Sequence, residues 1–136
     1  MNENDDTFLV EFRDDMTDYV FMFEDDGKVA YGYLLYQRKI VGDVWMYNRK
    51  PAPGIPEWTD HSKAPFLNAQ EYTNEEDFKP VTQSEELEVR WWRTGRELDA
   101  ADLYIRGAFH ARLSPGSKPG WCALAVKDGP CAKVLK

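Results

Sequence analysis

Hydrophobic and polar residues alternate with a period of two along most of the chain. Phe8, Val10 and Phe12 alternate with Leu9, Glu11 and Arg13. From Asp18 to Glu24, Tyr19, Phe21 and Phe23 stand against Val20 and Met22. Lys28 to Tyr36 sets Val29, Tyr31, Tyr33 and Leu35 against Ala30, Gly32, Leu34 and Tyr36. Ile40 to Tyr47 sets Ile40, Gly42, Val44 and Met46 against Val41, Asp43, Trp45 and Tyr47. Successive side chains of a strand point to opposite faces, so each segment reads as a half-buried β-strand. Asp25-Asp26-Gly27 and Gln37-Arg38-Lys39 are turn signals, and Gly27 can take positive φ. Short turns between neighbouring strands predict an antiparallel meander over residues 7–47.

The pattern breaks at Asn48. Pro51, Pro53, Pro56, Pro65 and Pro80 cannot donate to a ladder, which excludes central strands over residues 48–86. Phe66 to Tyr72 is expected as a short edge strand or a helical turn, and Asn74-Glu75-Glu76-Asp77 as solvated loop. A connection this long is expected to be functional or packed as an Ω-like excursion. Alternation resumes from Leu87 to Arg93, and Thr94-Gly95-Arg96 opens a turn. Glu97 to Asp102 is expected as one helical turn. Leu103 to Leu113 reads as a single strand, with Leu103, Ile105, Phe109, Ala111 and Leu113 on one face and Tyr104, Arg106, Ala108, His110 and Arg112 on the other. Trp121–Lys127 and Cys131–Leu135, joined at Asp128-Gly129, are expected to form a closing hairpin. The prediction is a mainly β fold of about eight strands with at most one or two short helices. An antiparallel meander would form a β-sandwich or a curled, barrel-like sheet. One domain is expected over 1–136: an acidic meander at 7–47, a proline-rich loop at 48–86 and a second β-region at 87–136.

Composition agrees with this. At 43% hydrophobic and 30% charged, the 136 residues have a globular and not a disordered balance. No apolar run approaches the roughly 18 residues of a membrane span. The acidic, polar start Met1–Asp6 lacks the basic and apolar parts of a secretory signal. No membrane association and a cytoplasmic location are therefore expected. Cys122 and Cys131 are expected as free thiols, because the hairpin register sets them on the order of 13 Å apart, beyond disulfide reach.

Charge changes the picture more. The net charge is −7, with 8 basic and 19 acidic residues up to position 87 and 9 basic and 5 acidic beyond it. An acidic protein is repelled by nucleic acid and drawn to basic partners. Catalytic signals are absent. Glu57, Asp60 and His61 lie close in sequence, but no ligand spacing suits zinc, so no metal and no cofactor is expected. No nucleophile elbow or cysteine-protease signature occurs, and no catalytic residue is assigned.

Two candidate surfaces remain. Trp45 and Tyr47 share the parity of Asp43, and the proline-stiffened loop beyond them carries Arg49 and Trp58. Trp, Tyr and Arg are the commonest interface anchors, and a stiff loop loses little entropy on binding. Asp14, Asp15, Asp18, Asp25 and Asp26 would steer a basic partner onto that edge. The plainer alternative is that Trp58 folds back as a lid over Trp45. The second surface is built from Arg90, Trp92, Tyr104, Arg106, His110 and Arg112, a cation-aromatic set suited to an acidic peptide, phosphate or carboxylate. The leading expectation is a non-enzymatic protein-binding domain, most sharply a small acidic immunity- or inhibitor-type protein neutralising a basic partner. The alternative is a β-domain binding a small anion or ligand on the Arg/aromatic face. Exposed strand edges leave a homodimer open.

Overall fold

Phe21, Phe23 and Asp25 lose all contact with solvent while Val20, Met22 and Glu24 stay half-exposed, so the second strand faces a core on one side only. The computed structural model describes residues 7–74 and 78–135. The Met1–Asp6 stretch and loop residues 75–77 lie outside the described residues. The first sheet runs in chain order through β1 (Phe8–Arg13), β2 (Val20–Asp25), β3 (Val29–Tyr36) and β4 (Lys39–Asn48), all antiparallel. The second holds β5 (Leu87–Thr94), β6 (Glu97–Ile105), β7 (Ala108–Leu113), β8 (Trp121–Cys122) and β9 (Lys133–Val134). The sheets are not closed into a barrel, and the fold is a mainly β sandwich. The described helical residues are three short 3-10 turns, at His61–Lys63, Gln70–Tyr72 and Ser84–Glu86.

The inner faces meet in one core. Phe21, Leu34 and Val44 from the first sheet join Leu103, Ala111 and Leu113 from the second. Each large apolar side chain buried in this way contributes roughly 1.5–3 kcal/mol. Gly32 allows close packing at the centre, where a Cβ would collide with Met46 Cε and crowd the Phe21 ring. Cys122 and Cys131 are both free and buried, as expected.

Four expectations change. First, β4 is not a simple alternating strand. Tyr31 pairs with Trp45 but Ala30 with Tyr47, which leaves Met46 as an extra, bulged residue. A bulge sets two residues against one and resets the faces, so Tyr47 turns to the core side, away from Trp45. A second bulge sets Leu35 against Ile40 and Leu34 against Gly42, placing Ile40 on the outer face. Second, residues 103–113 are two strands. Arg106 and Gly107 have φ of 50° and 83°, the paired positive values of a two-residue hairpin. Third, Glu97 to Asp102 is strand, because the tight turn at Gly95 (φ 63°) starts β6 at once.

Fourth, the chain end is not an antiparallel hairpin, since β8 and β9 run parallel. The backbone between them pairs elsewhere: Asn74 N–H donates to the Leu124 carbonyl at 2.8 Å and Val126 N–H to the Tyr72 carbonyl at 3.0 Å. The long loop also finds partners. Tyr31 O–H donates to the Phe66 carbonyl (2.9 Å), Asn48 Nδ2 to the Asn68 carbonyl (2.9 Å) and Lys28 Nζ to the Lys63 carbonyl (2.7 Å). It is a packed excursion across the sheet edge.

Candidate functional site

Trp45 and Tyr47 are both 0% exposed, so neither is the solvent-facing aromatic anchor that the alternation suggested. Trp45 keeps its outward direction, and its Nε1 donates to Asn48 Oδ1 at 2.8 Å beneath the returning loop. Tyr47 O–H donates to Asp25 Oδ2 (2.7 Å) and accepts from the Val81 N–H (3.0 Å), with Phe78 and Phe23 against its ring. Trp58 is half-buried and packs edge-on to Tyr72, 5.1 Å between centroids. Arg49 reaches back to the same Asp25 at 3.0 Å.

The acidic set divides as well. Asp25 is fully buried beneath Tyr47 and Arg49, and it also accepts from the Gly27 N–H (2.9 Å). Asp14 is buried under a two-pronged Arg93 contact (2.7 and 2.9 Å) and accepts from Thr17 Oγ1 (2.6 Å). The Arg93 hydrogen bond, against the opposing effect of burial, holds its carboxyl down to about 2. Asp26 ties the β2–β3 turn through the Lys28 and Val29 N–H groups. Asp15 and Asp18 alone are open to solvent, and both face Arg13. Asp14, Asp25 and Asp26 are fold supports. The Asp-x-Gly spacing at Asp25 and Gly27 was the sequence signal for one of them.

The cation-aromatic set is partly assembled, on the outer face of the second sheet. Arg90 lies 4.1 Å above the Tyr104 ring, Tyr104 stacks on Phe109 at 5.3 Å, and Arg112 covers Phe109. Trp92, 52% exposed, donates from Nε1 to Asp102 at 2.7 Å. Two members do not join. Arg106 sits in the β6–β7 turn and pairs with Glu86. His110 is the extra residue of a bulge that pairs Leu103 with Ala111 and Tyr104 with Phe109, and the bulge turns it inward. Its Nε2–H donates to the Met46 carbonyl at 2.9 Å, and burial lowers its pKa to about 4. The arginines of the face are answered internally, Arg112 by buried Asp102 (2.6 and 2.8 Å) and Arg90 by Glu88 (3.2 Å). A cavity of about 510 Å³ adjoins Arg112 and Trp121, but its acids cap local groups, Asp128 on the Val134 N–H and Asp99 on Thr94 Oγ1.

A surface that sequence reasoning missed lies on the outer face of the first sheet. The ladder lines up Glu11, Met22, Tyr33 and Asp43 in one row and Leu9, Glu24, Tyr31 and Trp45 in the next. Val20, Leu35 and Ile40 extend the apolar field. Leu9 is 52% and Ile40 45% exposed. Glu24 and Asp43 sit half-buried in this field, and neither carboxylate has a hydrogen bond or ion pair among the described residues. Burial raises the pKa of both, with Asp26 adding to the effect at Glu24 and Lys118 opposing it at Asp43. The signal in the sequence was that β2 is apolar on both parities, Val20 and Met22 as well as Phe21 and Phe23.

No protein-family model, curated protein or solved structure matches this chain. Among the described residues no three His, Cys, Asp or Glu side chains gather to hold a metal ion. No helix among them is long and apolar enough to cross a membrane.

Proposed function

We propose that this protein is a non-enzymatic binding domain that docks a basic protein partner on the outer face of its first sheet, in the manner of a small inhibitor or immunity protein. One observation carries this reading: exposed Leu9 and Ile40, with Met22 and Leu35 between them, surround two carboxylates that make no hydrogen bond or ion pair among the described residues. An exposed apolar field with polar groups around it marks an interaction site. Half-buried acids that make no hydrogen bond or ion pair lose hydration with little return until a cation arrives. Charge of this sign also steers a basic partner and rejects acidic ones. The anion-binding alternative has less support, because Arg112 and Arg90 already hold Asp102 and Glu88.

The test is affinity capture by the tagged chain at low and high salt, comparing wild type with the Leu9→Asp, Ile40→Asp double variant. The expected result is a basic protein retained at low salt, released at high salt, and lost in the variant while its thermal midpoint holds. A partner that binds wild type and variant alike overturns the reading.

A further inference from the structure

At one side of this face a cavity of about 240 Å³ opens between β3, β4 and the returning loop. Tyr31, Tyr33, Asp43, Pro65, Phe66 and Cys131 line it. The Tyr31 and Tyr33 rings lie nearly parallel, 6.0 Å apart and 17° from coplanar. Tyr31 is fixed at its tip, where the hydroxyl meets the Phe66 carbonyl (2.9 Å) and Cys131 Sγ (3.4 Å). Asp43 stands beside Tyr33 in the ladder, and it is the only acid in the lining, which contains no base. Ligand and cofactor pockets run from roughly 300 Å³ upward, so this one suits a single side chain better than a cofactor.

The lining selects by charge. Aromatic faces attract cations through their quadrupole. The Asp43 carboxylate makes no hydrogen bond or ion pair among the described residues, with Lys118 acting on it only from beyond ion-pair distance, so it can offer charge-assisted hydrogen bonds to a bound ammonium or guanidinium. A neutral apolar group would bury the Asp43 carboxylate further without a hydrogen-bond donor, and an anion would be repelled by it. Glu24 and Asp26 reinforce the negative potential around Tyr33. We propose that this cavity receives the cationic head of a lysine or arginine side chain presented by the docked partner. The proposal rests on the docking-face reading for its natural occupant, but the cavity's chemistry can be tested without that partner.

The experiment is an amide NMR titration of the full chain with acetyl-Gly-Lys-Gly-amide and with the same peptide carrying norleucine for lysine. The lysine peptide is expected to give saturable shifts confined to the amides around Tyr33, Asp43 and Phe66. Norleucine, which has the same chain without the charge, is expected to bind about ten-fold more weakly or worse. Asp43→Asn should cost the lysine peptide a similar factor, and it leaves the Asp43 backbone bonds to Ser117 and Gly120 in place while the side chain it replaces makes no hydrogen bond or ion pair among the described residues. Equal binding of the two peptides, shifts spread over all surface acids without saturation, or no shifts at all would each overturn the proposal. If that happens while the Leu9→Asp, Ile40→Asp variant still loses the captured partner, the cavity assignment falls and the docking face stands. If the variant also keeps the partner, both fall.

Discussion

Asp14 lies between β1 and β2, and its burial against Arg93 fastens the first sheet to the second. A carboxyl whose folded pKa lies below its ordinary value of 3.8 adds stability that is present above that value. The contribution fades as pH falls through about 2. Asp14→Asn is therefore expected to cost roughly 1–3 kcal/mol near neutrality, the scale of a lost charged hydrogen bond in a buried site. Urea unfolding should show the difference shrinking as the solution is acidified. His110 acts in the same direction for another reason. Its burial beside Phe78 keeps the ring neutral, and its folded pKa of about 4 lies below the ordinary 6.5. The unfolded chain takes up a proton first, so stability is lost as pH falls from 6.5 toward 4. Replacing the ring by a side chain that cannot titrate, as in His110→Gln, should flatten the urea midpoint across that range. A slope that survives the substitution would assign the loss to other groups.

Bulges decide which parts of the fold were legible in the sequence. In β1 and β2, and in β5 as far as Trp92, the period of two runs unbroken, and the more and less buried parities agree with the alternation. In β4 two irregularities and in β7 one reset the faces. Met46 sends Tyr47 into the core, and His110 turns inward while Phe109 joins Tyr104 outside. Nothing in the local residue types announces a bulge, because the backbone places it where the two sheets must fit together. The same limit hid the candidate face. The outer position of Ile40 depends on the irregular pairing with Leu35. Packing at the β3–β4 crossing is open to a direct check. Gly32→Ala would place a methyl against Met46 and Phe21, and overpacking of this kind costs about 1–3 kcal/mol. Thermal melts should show that loss, and Met46→Ala in the same chain should return part of it. If the second change makes the loss simply additive, the Met46 contact is not its cause.

Across the whole molecule the net charge of −7 hides two unlike halves, with the acidic excess in the part that contains β1–β4 and the basic excess in the part that contains β5–β9. A total charge of this kind would attract any basic protein weakly, whichever way it approached. A docking face makes a narrower demand, because screening limits an exposed charge to about 10 Å at 0.1 M salt. Only acids within that reach of the contact can speed association. Glu24→Lys and Glu85→Lys change the net charge by the same amount, yet Glu24 stands in the Leu9–Tyr31 row and Glu85 lies in the 3-10 turn before β5. For a captured basic partner, stopped-flow association at low salt should slow markedly with Glu24→Lys and little with Glu85→Lys, and the two rates should converge as salt is added. Equal slowing would mean that the partner responds to the overall field of the protein, and the outer face of the first sheet would lose its claim to be the docking surface.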